Sequence, residues 1–278
     1  MAVSREIRLD EFLIAGTDPD VSNMYRQLPE RARDLQFGLV EDEVIVLDTE
    51  TTGFDPTRCS LLEIAAIRMR GGETVSEFHT FVDPGLTIPP EIIELTGITQ
   101  DDVEDAPCPQ DAVAALAEFA GNRNLVAHNA RFDQGFVMRQ AQPGMLAGQW
   151  IDTLALSQIV LPRLRSHRLV DLAAAFGLSS PSHRAMDDTV SLGALWRILL
   201  AGIQAMTPGL AASIAELSPQ TDWPLRPYFA QAALEQPGID FSLRRNRTER
   251  TQALSQSPRP DADEVPLSFC DESRIEAA

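Results

Sequence analysis

Two acidic residues, Asp48 and Glu50, close a short apolar run, Val44-Ile45-Val46-Leu47, that is β-branched apart from its last residue. In a strand, residues two apart point to the same face, roughly 7 Å from one another at about 3.3 Å of rise per residue. Carboxylates so placed repel each other unless a cation sits between them, and hard divalent cations prefer such oxygen ligands. The plainer alternative is a strand running out into a solvated loop, which is how Asp55 reads. A second cluster is His128-Asn129-Ala130-Arg131-Phe132-Asp133. It puts Asp133 in the first turn of a helix, where the dipole favours an anion with or without a metal. His128 reads as a strand-end residue bonded to backbone. The third cluster, His183-Arg184-Ala185-Met186-Asp187-Asp188, follows a Ser180-Pro181-Ser182 loop. Here an imidazole at a helix entrance and the Asp188 carboxylate a turn and a half on can face one cavity. Asp187 competes with Asp188 but lies about 100° around the helix at 3.6 residues per turn. A histidine before a helix also serves as a cap or surface residue, the reading for His79 and His167.

The pattern around these clusters predicts the elements that must carry them. Residues 44–47, 61–69 and 74–82 read as strands, the last two joined by the tight-turn pair Gly71-Gly72, and together they form an antiparallel meander. Pro89-Pro90-Glu91 opens a short helix that Gly97 ends, and Thr99 with Asp102 makes a capping box for another turn. An alanine-rich helix over 110–120, a strand over 124–127 and a helix over 130–141 follow. A brief strand at 150–151 then leads through Asp152-Thr153 into a helix over 154–160. Helices over 169–176 and 185–200 complete the body. Three strands followed by alternating helix and strand predict a mixed sheet flanked by helices.

The ends read differently. Residues 1–42 form a polar, partly helical N-terminal extension, with a turn at Asp18-Pro19-Asp20 and a helix over 24–37. The body spans 43–203. Residues 204–240 are a short, proline-containing helical appendage, and 241–278 read as a polar, disordered tail.

Composition bounds the function. The chain has 278 residues, 44% hydrophobic and 23% charged, enough for a sizeable core. No apolar run approaches the ~18–20 residues that span a bilayer, so no membrane is expected. Glu6, Asp10 and Glu11 stand where a signal peptide needs an apolar stretch, and the three cysteines (Cys59, Cys108, Cys270) are scattered and odd in number. These features predict a cytoplasmic protein without a disulfide framework. The net charge is −18, and all 23 basic residues are arginine. Such a surface repels phosphate backbones at long range and disfavours a DNA-coating role, unless cations stand between carboxylates and phosphates. With no lysine in the chain, a P-loop ATPase is excluded.

Taken in order and in context, DTETTG, HNARFD and HRAMDD resemble the three-motif signature of the DEDDh branch of the DnaQ-like 3′–5′ exonucleases. That family includes the proofreading subunit of bacterial replicative polymerase, and the body is also similar to the exonuclease domain at the N-terminus of some DinG-type helicases. The resemblance covers about residues 43–203 and includes LTGIT at 95–99; the His183-to-Asp188 spacing indicates the histidine branch. It implies a ribonuclease-H-like exonuclease fold, α/β, with a mixed sheet of about five strands and helices on both faces. Asp48, Glu50, Asp133 and Asp188 would be ligands of two Mg²⁺ or Mn²⁺ ions, and His183 the general base. Thr51, Thr96, Asn129 and Phe132 would lie near the terminal nucleotide. The implied activity is 3′–5′ hydrolysis of phosphodiesters at a nucleic-acid 3′ end. Paired cations suit it by clamping the attacking and leaving oxygens, while histidine exchanges protons near neutrality. Single-stranded DNA is the leading substrate. RNA is an alternative, and so is an exonuclease-fold docking module of a polymerase or helicase. Arg163, Arg165 and Arg168 are the best local basic patch for phosphates, or else a solvated loop.

Overall fold

A computed structural model describes residues 8–35 and 43–234. Five strands form one sheet in the order β3-β2-β1-β4-β5. β1 (Val44–Thr51), β2 (Leu61–Arg70) and β3 (Glu73–Phe81) are the predicted meander. β4 (Asn124–Ala127) and β5 (Trp150–Asp152) extend it on the other side, with β1–β4 and β4–β5 parallel. β1 is therefore central: its first four residues are apolar and buried, and no residue of the strand is fully exposed, as a strand covered on both faces requires. The mixed sheet flanked by helices is as the motifs led one to expect.

The two faces of β1 have different partners. Ile45 and Leu47 join a core with Ala112, Val113 and Leu116 of α5 (Pro109–Ala120) and with Phe136 and Val137 of α6 (Arg131–Gln140). The alternate residues point to the other face, where the 20-residue helix α9 (Ala185–Gln204) lies on β1 and β2. Gly193 permits that approach, since a Cβ there would stand 2.8 Å from Ile67 Cδ1. Thr189, one turn into α9, donates to the Ala65 carbonyl of β2.

Between β3 and α5 lie α3 (Pro90–Thr96), closed by Gly97, and α4 (Gln100–Val103), opened by the Thr99–Asp102 capping box. Asp152 ends β5 and accepts from the Leu154 N–H to cap α7 (Thr153–Val160). α8 (Leu169–Phe176) precedes α9, and α10 (Pro208–Ala215) and α11 (Arg226–Leu234) follow it.

At the N-terminal end one expectation is corrected. The segment Asp18-Pro19-Asp20 is the start of a helix, α2 (Pro19–Arg33), and not a separate turn. Asp18 accepts from the Asp20 N–H and Pro19 takes the first helical position, where its missing N–H is no loss. A four-residue helix, α1 (Leu9–Phe12), lies before it and has no counterpart in the predicted elements. Tyr25 and Leu28 of α2 are fully buried, and Arg197 of α9 donates to the Ala32 and Arg33 carbonyls at the C-terminus of α2. The expected tail over 241–278 lies outside the described residues. Among those described, no single helix is long and apolar enough to cross a membrane.

Candidate active site

β1 and β4 run parallel, so their carboxyl ends open on the same edge of the sheet, the usual place for a site in an α/β protein. Asp48 and Glu50 sit at that end of β1, inside the strand and not beyond it, and both face α9. His183 and Asp188 come to meet them. One ligand atom each from Glu50, His183 and Asp188 lies within 4.8 Å of the other two. Asp188 is buried and accepts from the Ser182 N–H at 2.7 Å, whereas Asp187 is exposed and accepts from the Ser182 hydroxyl. The helix periodicity that separated these two neighbours is met.

Asp133 approaches from the opposite face. It is buried in the first turn of α6 and accepts from Thr49 Oγ1 at 2.9 Å. Though outside the tight triplet, Asp48 and Asp133 belong to the same charged cluster. Burial, then Asp133, Glu50, Asp188 and Glu63, holds the Asp48 carboxyl well above the usual carboxylate range. Glu50 is pushed up to about 8 by burial and by Asp188, Glu63 and Asp133, with Arg184 opposing. Asp133 rises to about 7, mainly through burial, against the bond from Thr49. Asp188 is raised by burial, against the Ser182 N–H. Four acids that resist ionisation side by side, all with oxygen donors, suit a hard divalent cation: positive charge among them would remove the repulsion.

Two non-glycine residues at the site hold left-handed backbone, Asn129 (φ 63°) and His183 (φ 56°). Asn and His are among the side chains that tolerate this region, and such conformations gather at functional sites. Asn129 is exposed, and its N–H donates to Asp152. Thr51 and Thr96 are buried, their hydroxyls donating to the Gly53 and Ile92 carbonyls. Phe132 is half-buried between Phe136 and Phe54, with ring centroids 5.1 and 6.4 Å away. His128 bonds to Thr153 Oγ1 and to the His167 carbonyl, which draws the loop carrying Arg163, Arg165 and Arg168 across the end of β4. Arg165 and Arg168 are exposed there.

Phe54 and Glu63 belong to this region and carry no motif. Phe54 is 72% exposed beside Phe132. It follows Gly53, whose φ of 153° and close approach to Cys59 leave no room for a Cβ, which would stand 2.8 Å from Sγ. Glu63 pairs across the sheet with Glu50 and is 1% exposed. Its signal was a lone acid within the apolar run Leu61-Leu62-Glu63-Ile64-Ala65-Ala66-Ile67. His79 is exposed at the surface, as expected, and also reaches Glu63 with Nε2 at 2.6 Å.

A central mixed sheet with acids from β1, α6 and α9 at its carboxyl edge defines a nuclease-type α/β domain. The chain belongs to the exonuclease family (RNase T type), which matches residues 45–195. It is 40% identical over 151 residues to DNA polymerase III PolC-type of Clostridium perfringens, covering 53% of this chain and 10% of that protein. The match to the PolC-type polymerase of Thermotoga maritima is 34% over 185 residues, 65% of this chain and 13% of that one. The chain thus spans little more than a tenth of the length of these relatives. A structure of E. coli exonuclease I in complex with a dT13 oligonucleotide superposes with a TM-score of 0.52 at 19% identity, covering 62% of this chain and 43% of that one. It shows the shared fold.

Proposed function

We propose that the domain removes nucleotides one at a time from the 3′ end of single-stranded DNA. In this reading Asp48, Glu50, Asp133 and Asp188 hold two Mg²⁺ or Mn²⁺ ions, and His183 is the general base. The convergence of Glu50, His183 and Asp188 within 4.8 Å carries the proposal. The PolC-type relatives are DNA polymerases, which favours DNA over RNA and a polymerase as partner.

Bound cations would supply what a phosphodiester most needs, relief of charge on the phosphoryl oxygens and acidification of the attacking water. The chain's own groups do the rest. Asp133 and Asp188 are buried and Asp48 and Glu50 half-buried, which holds the carboxylates in place where the phosphate would sit. The His183 ring nitrogen facing Glu50 and Asp188 accepts the water's proton and, being exposed, returns it to solvent. Phe54 and Phe132 present aromatic faces on which the terminal bases can stack, a contact that tolerates any sequence. In this reading Thr51, Thr96 and Asn129 lie near the terminal nucleotide. With a net charge of −18, the grip on nucleic acid is local and cation-dependent, aided by Arg165 and Arg168.

The test is nucleotide release from a labelled single-stranded oligonucleotide with Mg²⁺ or Mn²⁺, comparing wild type with Asp48→Ala. Activity is expected in the first and not in the second; equal activity refutes the assignment. Blocking each end in turn reads the polarity, and an RNA of the same sequence reads the sugar preference.

A further inference from the structure

Glu63 is an acid in a place that should not hold one. It lies on β2 directly across from Glu50, and like charges opposed across a sheet destabilise it. Its side chain is 1% exposed and shares the face of Glu50 towards α9. Both of its oxygens are nonetheless committed. Oε2 accepts from the backbone N–H of Ala185 at 3.0 Å, and Oε1 faces His79 Nε2 at 2.6 Å and an Arg184 guanidinium nitrogen at 3.4 Å. The Arg184 guanidinium also rests over the ring of Phe81, 5.6 Å from its centroid, so the cluster is backed by β3.

Ala185 opens α9, and its N–H is one of the orphan donors of a helix start. Arg184, in the N-cap position, makes no side-chain capping bond. Glu63 therefore caps the helix from a different element, with an acceptor oxygen at the positive end of a 20-residue dipole. The capped residue lies between His183 and Asp188, two residues beyond the left-handed backbone of His183. Such a conformation persists only where its surroundings over-determine it, and Ser182, on the other side, is held by Asp187 and Asp188. The two anchors fix the histidine loop from both ends.

We propose that Glu63 is a positioning residue for catalysis: through the Ala185 N–H it sets the His183 imidazole against Glu50 and Asp188. It is not itself a cation ligand, because both oxygens already serve donors of the protein. The proposal rests on the exonuclease reading.

A double-mutant cycle tests it, with kcat and KM measured for single-stranded oligonucleotide hydrolysis in wild type, Glu63→Gln, His183→Ala and the double variant. Gln keeps the shape but offers a single acceptor. If Glu63 acts through His183, Glu63→Gln lowers kcat by about 10²-fold with little change in KM, as a misplacement of the order of 1 Å does. In the His183→Ala background the same substitution then costs only about two- to three-fold, because contacting residues that act as a unit are not additive. Losses of equal size in both backgrounds, or a kcat for Glu63→Gln like that of wild type, overturn the proposal. His79→Gln, which removes one of Glu63's donors from the solvent side, gives the same non-additivity on a smaller scale should Glu63→Gln not fold, and additive losses there overturn it too. Mn²⁺ binding, followed by calorimetry, should keep its stoichiometry in Glu63→Gln; loss of an ion would make Glu63 a ligand and refute the positioning role. Wild-type inactivity would instead bring down the exonuclease reading itself, a result distinct from any of these.

Discussion

Removing divalent cations should make the stability of this protein fall as pH rises through neutrality, and restoring them should abolish the fall. Glu50 titrates at about 8 in the fold against an ordinary 4.5, and Asp133 at about 7 against 3.8. A raised carboxyl binds its proton more tightly in the folded chain than in the unfolded one. Its unfavourable contribution is absent below the unfolded value and grows until pH passes the folded one. His128 has the opposite sense: burial lowers it from 6.5, so it costs stability as pH falls below that value. The clean window is thus about pH 6.5 to 8. Each pH unit over which one group differs between the two states is worth about 1.4 kcal/mol. Glu50 differs across the whole window and Asp133 across part of it, which gives roughly 2–3 kcal/mol. For a domain of this size the loss lowers the melting temperature by about 5–10 °C. The assay is thermal unfolding by circular dichroism in chelator, across the window, repeated with millimolar Mn²⁺. Glu50→Gln in chelator isolates the site from the general repulsion of an acidic chain. A metal-free melting temperature that stays flat or rises with pH, or a slope that Glu50→Gln leaves intact, would refute the electrostatic picture of the cluster.

Three further outcomes follow from the same geometry. Asp188→Asn should abolish nucleotide release, by about 10³-fold or more if it removes a group on which the reacting centre depends, while Asp187→Asn, exposed and bonded to Ser182, should stay near wild type; the reverse pattern in a turnover assay would put the wrong acid in the site. Phe54→Ala removes an aromatic face that is 72% exposed and should weaken oligonucleotide binding by about 1–3 kcal/mol, or roughly 5- to 150-fold, read by fluorescence anisotropy in Ca²⁺ or on an inactive variant; unchanged affinity would remove Phe54 from the substrate path. Leu28→Ala, in the fully buried face of α2, should cost about 2–5 kcal/mol in urea denaturation, whereas a cost below about 1 kcal/mol would mean that α2 is peripheral to the fold.

The residues that the sequence made legible are those whose chemistry and local period agree. Asp48 and Glu50 share a face because a strand repeats every two residues, and Asp188 is separated from Asp187 because a helix turns 100° per residue; both inferences need only local geometry. Asp18-Pro19-Asp20 was misread because a Pro flanked by acids signals a turn and a helix start alike, and only the packing of Tyr25 and Leu28 decides between them. Glu63 escaped for a deeper reason. Its partners, His79, Arg184 and Ala185, lie 16 to 122 residues away, and nothing in the period of β2 tells a tolerated acid from one that the fold requires. Yet an unpaired charge within a covered strand costs several kcal/mol, so its presence there already demanded a compensating set of donors somewhere in the chain. The start of α9, together with His79 of β3, supplies them, which is why the acid that looks most out of place in the sheet is the one that ties the histidine loop to it.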